Sequence, residues 1–474
     1  MMMRTALEVP TLPGLLAARA ADEPAGVAMI VDGAGELTFG EWEKRSAAVA
    51  SSLLAAGVGP GDRVVLVFPA SEWIDYAVTF AGVLRAGAVA VPLSDRTPDA
   101  EIGRIVAHCG ASIVLTDPAA LPPGSQPPPA PPGPGALAQI LYTSGTTGTA
   151  KGVAASHANL AYGTRLRPRH RAFAHSRHLV HAFPIGTNAG QLMLVNALTA
   201  HPAVVTLPRF TPGRFARLIE RYRAGTVFLV PAMGIELLND RGAHDLSSVL
   251  LLGSAAAPLP SPVAVGLGGL FPNATITNYY TSTEAAPAQT IMIFDPERPG
   301  SVGRAAAGGD VRVASPAGEA LPPGETGEVW MRSPAAPRSY YNDSREGPAV
   351  FRDGWIRMGD LGYLDEEGYL YLVDRESDVI KSGAFKVSTL KVEDALHAHP
   401  AVVEAAAYGV PHPVLGMTVT AAVVLREEAS AADLRAFLSG RLAPHEIPAD
   451  VVTLDALPRN RGGKVDKRAL RGRA

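Results

Sequence analysis

Residues 142–153 constrain this chain more than any other stretch. The apolar residues Ala138, Ile140, Leu141 and Tyr142 stop abruptly, and a run of hydroxyls and glycines follows. Thr143, Ser144, Thr146, Thr147 and Thr149 supply hydroxyl donors, and Lys151 supplies a full positive charge. Gly145, Gly148 and Gly152 can take positive φ and let a ligand come close to the backbone. Successive N–H groups in such a turn form an anion-binding nest, so the stretch reads as a cradle for a polyphosphate. It is not a Walker A loop, because Lys151 lies between Ala150 and Gly152 instead of in Gly-Lys-Ser/Thr. The plain alternative is a Gly/Thr-rich surface turn. The length of the run and its entry from a strand favour the cradle.

A fold that presents such a loop needs a sheet behind it. Over 1–116 helical and strand patterns alternate in the way of α/β proteins. A helix follows Thr38, which can cap it, and strands fall at 62–68, 88–93 and 112–117 with a helix at 73–86. That spacing implies a parallel sheet. Residues 118–136 are almost all Pro, Gly and Ala and read as an exposed, semi-extended connector without chemistry, able to form neither helix nor central strand. Further strands are expected at 203–207, 226–230 and 249–253.

Composition sets the outer limits. With 474 residues and 47% hydrophobic content, the chain is long enough for at least two domains. A net charge of -3 gives no reason to expect nucleic acid or a membrane as partner. The single cysteine, Cys109, excludes an internal disulfide framework, and no apolar run reaches the length of a membrane span. The N-terminus has no secretory pattern, so the expected location is cytoplasmic. Charge is uneven along the chain: residues 118–219 hold no Asp or Glu but nine Lys or Arg and six His. Much of this sits at 165–178, either a solvated basic loop or a landing surface for a polyanion.

Three later stretches combine strands with chemistry. A β-branched strand at 274–280 ends in Tyr280, Thr281, Ser282, Thr283 and Glu284, placing aromatic, hydroxyl and acid groups at its edge. A strand at 355–361 carries Asp360 and leads through a hairpin to Arg375. The tail at 457–470 has Pro458, Arg459, Gly463 and Lys464 in a basic setting. Between the last two, strands at 402–409 and 419–425 and helices at 389–399 and 431–441 describe a small α+β unit.

Taken in order, these motifs closely resemble the adenylate-forming superfamily of acyl-CoA synthetases, peptide-synthetase adenylation domains and luciferases, over roughly 38–470. The resemblance implies an α/β fold: a large N-terminal domain of packed, parallel-rich sheets with helices and a small β-region (1–375), a hinge at 376–378, and a small mobile α+β C-terminal domain (379–474). It implies that Thr143, Ser144, Gly145, Thr146, Thr147, Gly148 and Lys151 cradle phosphate, that Gly253, Ser254 and Ala255 underlie adenine, and that Tyr280 stacks on it. Thr283 then contacts phosphate, Glu284 holds Mg²⁺, Asp360 and Arg375 take the ribose, and Lys464 is the catalytic lysine. The segment holding Phe183, Thr187, Asn188 and Gly190 matches the wall of the acyl pocket. Three positions depart from the family pattern: Thr281 replaces a glycine beside that pocket, Ala384 replaces a glycine near the thiol channel, and Ser377 replaces an Asp or Lys at the hinge.

The function implied is ATP-dependent carboxylate activation through an acyl-adenylate, followed by acyl transfer to a thiol. Coenzyme A is the first choice of acceptor and the phosphopantetheine arm of an acidic carrier protein the second. A non-catalytic acyl or nucleotide sensor on the same fold is the rival of another class, and the presence of both Glu284 and Lys464 argues against it. Activators of α-amino acids keep an Asp in the segment resembling 183–191, because a buried ammonium must be paired. With no acid from 118 to 219, the expected substrate is a small carboxylic acid without an α-amino group.

Overall fold

The computed structural model describes residues 11–143, 150–165, 167–240, 242–306, 308–333, 335–343, 345–460 and 464–472. Its backbone is organised by three sheets. In the largest, Thr275–Tyr280, Leu251–Ala255, Thr226–Leu229, His178–His181, Ala203–Thr206 and Val27–Val31 run parallel in that spatial order. Beyond Thr275–Tyr280 it continues antiparallel through Thr290–Ile293, Ser301–Ala305, Leu370–Arg375 and Trp355–Leu364. The second sheet places Val89–Ser94 between Arg63–Phe68 and Leu137–Thr143, all parallel, and folds back through Lys151–Ser156 to Ser339–Tyr340.

Helices Leu12–Asp22, Phe39–Ala55, Trp73–Arg85 and Asn188–Thr199 fill the space between these sheets with one continuous apolar core. Trp42, Trp73 and Tyr76 are fully buried there. The capping expected of Thr38 is present as a reciprocal box: its Oγ1 accepts from the Glu41 N–H at 3.2 Å, and the Glu41 carboxylate accepts from the Thr38 N–H at 3.1 Å.

The Pro-rich tract departs from its expected form. Pro118–Ala120 makes a 3₁₀ turn, because the Asp117 carboxylate accepts from the Ala119 N–H at 2.7 Å. Downstream, Ser51 donates to the Gln126 carbonyl at 2.7 Å, and a Cβ on Gly124 would sit 2.0 Å from the Ser51 carbonyl oxygen. The tract is therefore docked along helix Phe39–Ala55, and the glycine is what allows that approach.

The third sheet, built on the long antiparallel pair Val402–His412 and Gly416–Leu425, has its own core with helices Thr389–His397 and Ala431–Ser439. These helices end two residues earlier than the sequence suggests; in the second case Gly440 stands at the C-cap. The third sheet begins beyond the turn that follows Arg375, and one buried and one exposed hydrogen bond join it to the rest. The Thr389 N–H donates to Asp374 Oδ2 at 2.5 Å, and the Ser261 N–H donates to Asp394 Oδ1 at 3.2 Å. Among the described residues no helix is long and apolar enough to cross a membrane.

Candidate active site

In parallel sheets the strands' C-terminal edges leave a crevice, and that is where the functional residues gather here. A cavity of about 930 Å³ opens at the ends of Val89–Ser94, Leu137–Thr143, Leu251–Ala255 and Thr275–Tyr280, and Lys464 and Arg459 close over it. Thr143 and Lys151 are register partners on adjacent strands, and both line the cavity. Ser144, Gly145, Thr146, Thr147 and Gly148 lie outside the described residues.

The polar side of the cavity is a set of mutually held charges. Asp360 and Arg375 are cross-strand partners, with Arg375 Nε 3.5 Å from Asp360 Oδ1. Tyr280 donates its hydroxyl to the other oxygen, Asp360 Oδ2, at 2.5 Å. Burial raises the Asp360 pKa, and Arg375 and the Tyr280 hydroxyl oppose that rise. The arrangement alters the expectation for two aromatic residues. Strand alternation puts Tyr279, not Tyr280, on the cavity wall, while Tyr280 lies beneath it as a support for Asp360. Gly253 and Ser254 also lie below the lining, with Ala255 and the next residue, Ala256, reaching it. A Cβ on Gly253 would meet the Phe228 ring at 2.4 Å, so this glycine serves packing.

One strand away, Tyr340 donates to Glu284 Oε1 at 3.1 Å, and Arg338 donates from Nη1 to the Thr283 carbonyl at 2.9 Å. Burial, then the Glu284 charge, raise the Tyr340 pKa. Lys151 is ion-paired with Glu346 and lies 5.1 Å from the Tyr340 ring centroid. Its charge, expected to await phosphate alone, is thus offset in this state. Tyr340, Arg338 and Glu346 escaped the sequence reading. The strand Ser339–Tyr340 that carries the first is two residues long, too short for any periodic signal.

Lys464 is tied back to Asn460 by its backbone. The Asn460 N–H donates to the Lys464 carbonyl at 2.8 Å, the Lys464 N–H donates to Asn460 Oδ1 at 3.1 Å, and Arg459 bridges to Val465. The side chain keeps solvent contact through the open cavity, yet the protein around it pulls its ammonium down to about 8. Desolvation is the main cause and Arg375 adds to it, while Asp360 and Glu284 oppose it. Lys464, Arg375, Asp360 and Glu284, four of the charged residues the sequence singled out, therefore meet in one place.

The other side of the cavity is walled by rings. Phe173 and Phe228 meet edge to face at 5.6 Å, and Phe228 and Tyr279 meet at 5.5 Å with their planes tilted by 46°. Phe183, Asn188, Thr187 and Thr281 line the cavity as expected. Thr187 also caps helix Asn188–Thr199 by accepting from the Gly190 N–H at 3.0 Å. Gly190 itself is a packing position, where a Cβ would fall 2.0 Å from the Pro184 carbonyl oxygen. Thr281 turns its hydroxyl to the Ala288 carbonyl at 2.6 Å. Ser377, in the turn after Arg375, also reaches the cavity.

The basic segment contributes differently from its expected role. Arg171 is 5% exposed and ion-paired with Glu23 at 2.6 Å, so it belongs to the interior and not to a landing surface. Arg165, Arg167 and Arg169 remain exposed. Phe173, which the charge pattern had obscured, takes a φ of +56 and lines the cavity. A bulky residue in that region is uncommon and points to local constraint.

Residues 16–341 match the family model described as AMP-binding enzyme, and residues 391–464 match that of the AMP-binding enzyme C-terminal domain. A feruloyl-CoA synthase of an Amycolatopsis species is 34% identical, covering 93% of this chain and 94% of that protein. The crystal structure of a benzoate CoA ligase from Burkholderia xenovorans superposes with a TM-score of 0.86 at 26% identity, over 98% of this chain and 100% of that one. The o-succinylbenzoate CoA synthetase of Bacillus subtilis, in complex with ATP and magnesium ion, gives a TM-score of 0.83 at 26% identity, over 97% of this chain and 98% of that one.

Proposed function

The chain belongs to the family of AMP-binding enzymes and is an AMP-forming acid–CoA ligase, and from that premise we propose that its acid carries a flat aromatic body and no α-amino group. ATP, Mg²⁺ and coenzyme A are its cosubstrates and metal. The observation that carries the proposal is the wall of Phe173, Phe228 and Tyr279 rings, together with the lack of any Asp or Glu over 118–219 to pair an ammonium; the acids that line the cavity are Glu101, Glu236, Glu284 and Glu376. Aromatic rings favour offset and edge-to-face contact with one another, which suits an aryl acid inserted among them.

In the first half-reaction a carboxylate oxygen attacks the α-phosphorus of ATP, and the bond to the bridging oxygen of pyrophosphate breaks. A carboxylate is a poor acyl donor, and the adenylate gives it a leaving group. The thiol of coenzyme A then adds to the acyl carbon and AMP departs. In this reading the protein's part in the first step is positioning and charge stabilisation. Lys464 would meet the charge developing near the α-phosphate, and Asp360, braced by Tyr280 and Arg375, would accept from the ribose. Glu284 offers a carboxylate with one oxygen engaged by Tyr340, and the described residues gather no group of three or more His, Cys, Asp or Glu. A single carboxylate fits Mg²⁺, which keeps several waters and takes phosphate oxygens as its remaining ligands. Bound there, the ion would neutralise phosphate charge.

The same premise makes 379–474 a separate unit hinged at Ser377, presenting Lys464 for adenylation and withdrawing it for thiol capture. The test of substrate class is ATP–pyrophosphate exchange over a panel of benzoic, cinnamic, aliphatic and α-amino acids, repeated as thioester formation with coenzyme A. Highest turnover is expected with an aryl acid. Highest exchange with a free α-amino acid would overturn the proposal.

A further inference from the structure

Arg338 is 7% exposed, and among the described residues it forms no ion pair with any carboxylate. Its Nε is buried without a partner, and it does not line the cavity. Its one hydrogen bond runs from Nη1 to the Thr283 carbonyl at 2.9 Å, and the carboxylate whose charge it feels is Glu284. Burying a cation this way costs stability, and well-packed apolar substitutes for buried ionic groups are often neutral or stabilising. Such a group persists where the structure has a use for it.

Its neighbours suggest the use. The carbonyl that Arg338 holds belongs to the peptide joining Thr283 to Glu284. Tyr340, two residues on in the short strand Ser339–Tyr340, holds the Glu284 carboxylate at 3.1 Å. That strand pairs with Val153 and Ala154, just beyond Lys151. The peptide before Glu284 and its carboxylate are thus gripped from one short segment, 338–340, that is itself paired with the strand Lys151–Ser156.

We propose that Arg338 is a positioning residue for Glu284: it fixes the Thr283 carbonyl and balances the carboxylate, so that the acid is already oriented when nucleotide arrives. The inference rests on the assignment of Glu284 to the reaction, and a double-mutant cycle separates the two. The variants Arg338→Met, Arg338→Lys, Glu284→Gln and the double variant Arg338→Met/Glu284→Gln would be compared in pyrophosphate exchange, with melting temperatures of the apo proteins. Arg338→Met is expected to lower kcat about 100-fold, yet less than threefold when placed on Glu284→Gln, with Arg338→Lys recovering roughly half the loss on a logarithmic scale. Its apo melting temperature should equal or exceed that of the parent. Equal losses in both backgrounds, or a fall in melting temperature that tracks the fall in kcat, would make Arg338 a structural residue and overturn the proposal. So would a kcat within threefold of the parent. Should Arg338→Met fail to fold, that outcome also assigns a structural role. Full activity in Glu284→Gln would instead remove Glu284, whatever Arg338 did.

Discussion

The two sides of the cavity are built on opposite principles. On the polar side several charged groups are held by a partner: Asp360 by Tyr280 and Arg375, Glu284 by Tyr340, Lys151 by Glu346. On the ring-lined side the surface is apolar, and Thr281, one of its few polar members, has turned its hydroxyl away to the Ala288 carbonyl. The first design orients charge before a ligand arrives, which is what stabilising a transition state requires. The second offers shape and leaves little for a wrong substrate to violate except space. Chemistry should therefore be brittle on the polar side and selectivity soft on the ring side.

The sharpest way to break this contrast is at Lys464. Lys464→Ala should lower adenylate formation by about 10²–10³, the usual cost of removing one positioned charge from a developing transition state. Thioester formation from a supplied acyl-adenylate should change little, because the lysine would then be withdrawn. A pH profile adds a second reading. The Lys464 ammonium titrates near 8 in the free protein, so its charge is present below that pH and lost above it. Adenylation, measured as kcat/KM for ATP, should fall as pH rises through about 8. Thiol capture should rise over the same range as the coenzyme A thiol ionises. Equal losses in the two half-reactions, or a shared alkaline decline, would contradict domain alternation.

The contrast also explains what could be read in advance. The polar side was legible where a charge sits in a short local signature at a strand end or in a turn, as with Asp360 before the hairpin or Lys464 after Gly463, whereas Glu346 and Arg338 carried no such signature. The ring side was largely illegible. Phe173, Phe228 and Met193 look like ordinary core residues in sequence, and only the fold brings them to one wall. Phe173 lies inside the basic segment, where composition drew attention to arginines. A charge count cannot tell an exposed arginine from Arg171, buried against Glu23. The pair Tyr279 and Tyr280 shows a third limit. The family pattern points to Tyr280, yet strand alternation puts Tyr279 on the cavity wall, while Tyr280 and its partner Asp360 lie just beneath the lining. The order of parallel strands was foreseeable only as a class, since nothing local specifies that Ala203–Thr206 inserts beside Val27–Val31.

On the ring side the predicted effect is smaller and of another kind. Thr281→Gly removes the side chain that narrows the cavity next to Tyr280 and Ser282. A methyl-sized group in an apolar pocket is worth about 1–3 kcal/mol in discrimination. The ratio of kcat/KM for an ortho-substituted aryl acid to that for its unsubstituted parent should therefore rise about tenfold. The rate with the parent acid should stay within a few-fold, and ATP affinity should not move. A loss of adenylation with every acid would mean that Thr281 belongs to the polar design and not to the shape of the pocket.

The smallest effect is expected at the exposed arginines, which belong to neither side. Arg165, Arg167 and Arg169 are accessible, whereas Arg171 packs beside Arg19 and Glu23 at the end of helix Leu12–Asp22 and must be left alone. If the three draw the phosphate-rich end of coenzyme A, replacing them together with glutamine should raise its KM. Exposed ion pairs are worth roughly 0.2–1 kcal/mol each, so the combined change should be about three- to tenfold at low ionic strength. Because the attraction acts through solvent, moderate salt should erase most of the difference between variant and parent. Adenylate formation should be unaffected in either buffer, since nothing in the charged cluster around Asp360 and Lys464 touches this segment. A KM for coenzyme A that is flat across variant and salt would make the segment a solvated loop, whose contribution to the enzyme is to carry Phe173 into the wall.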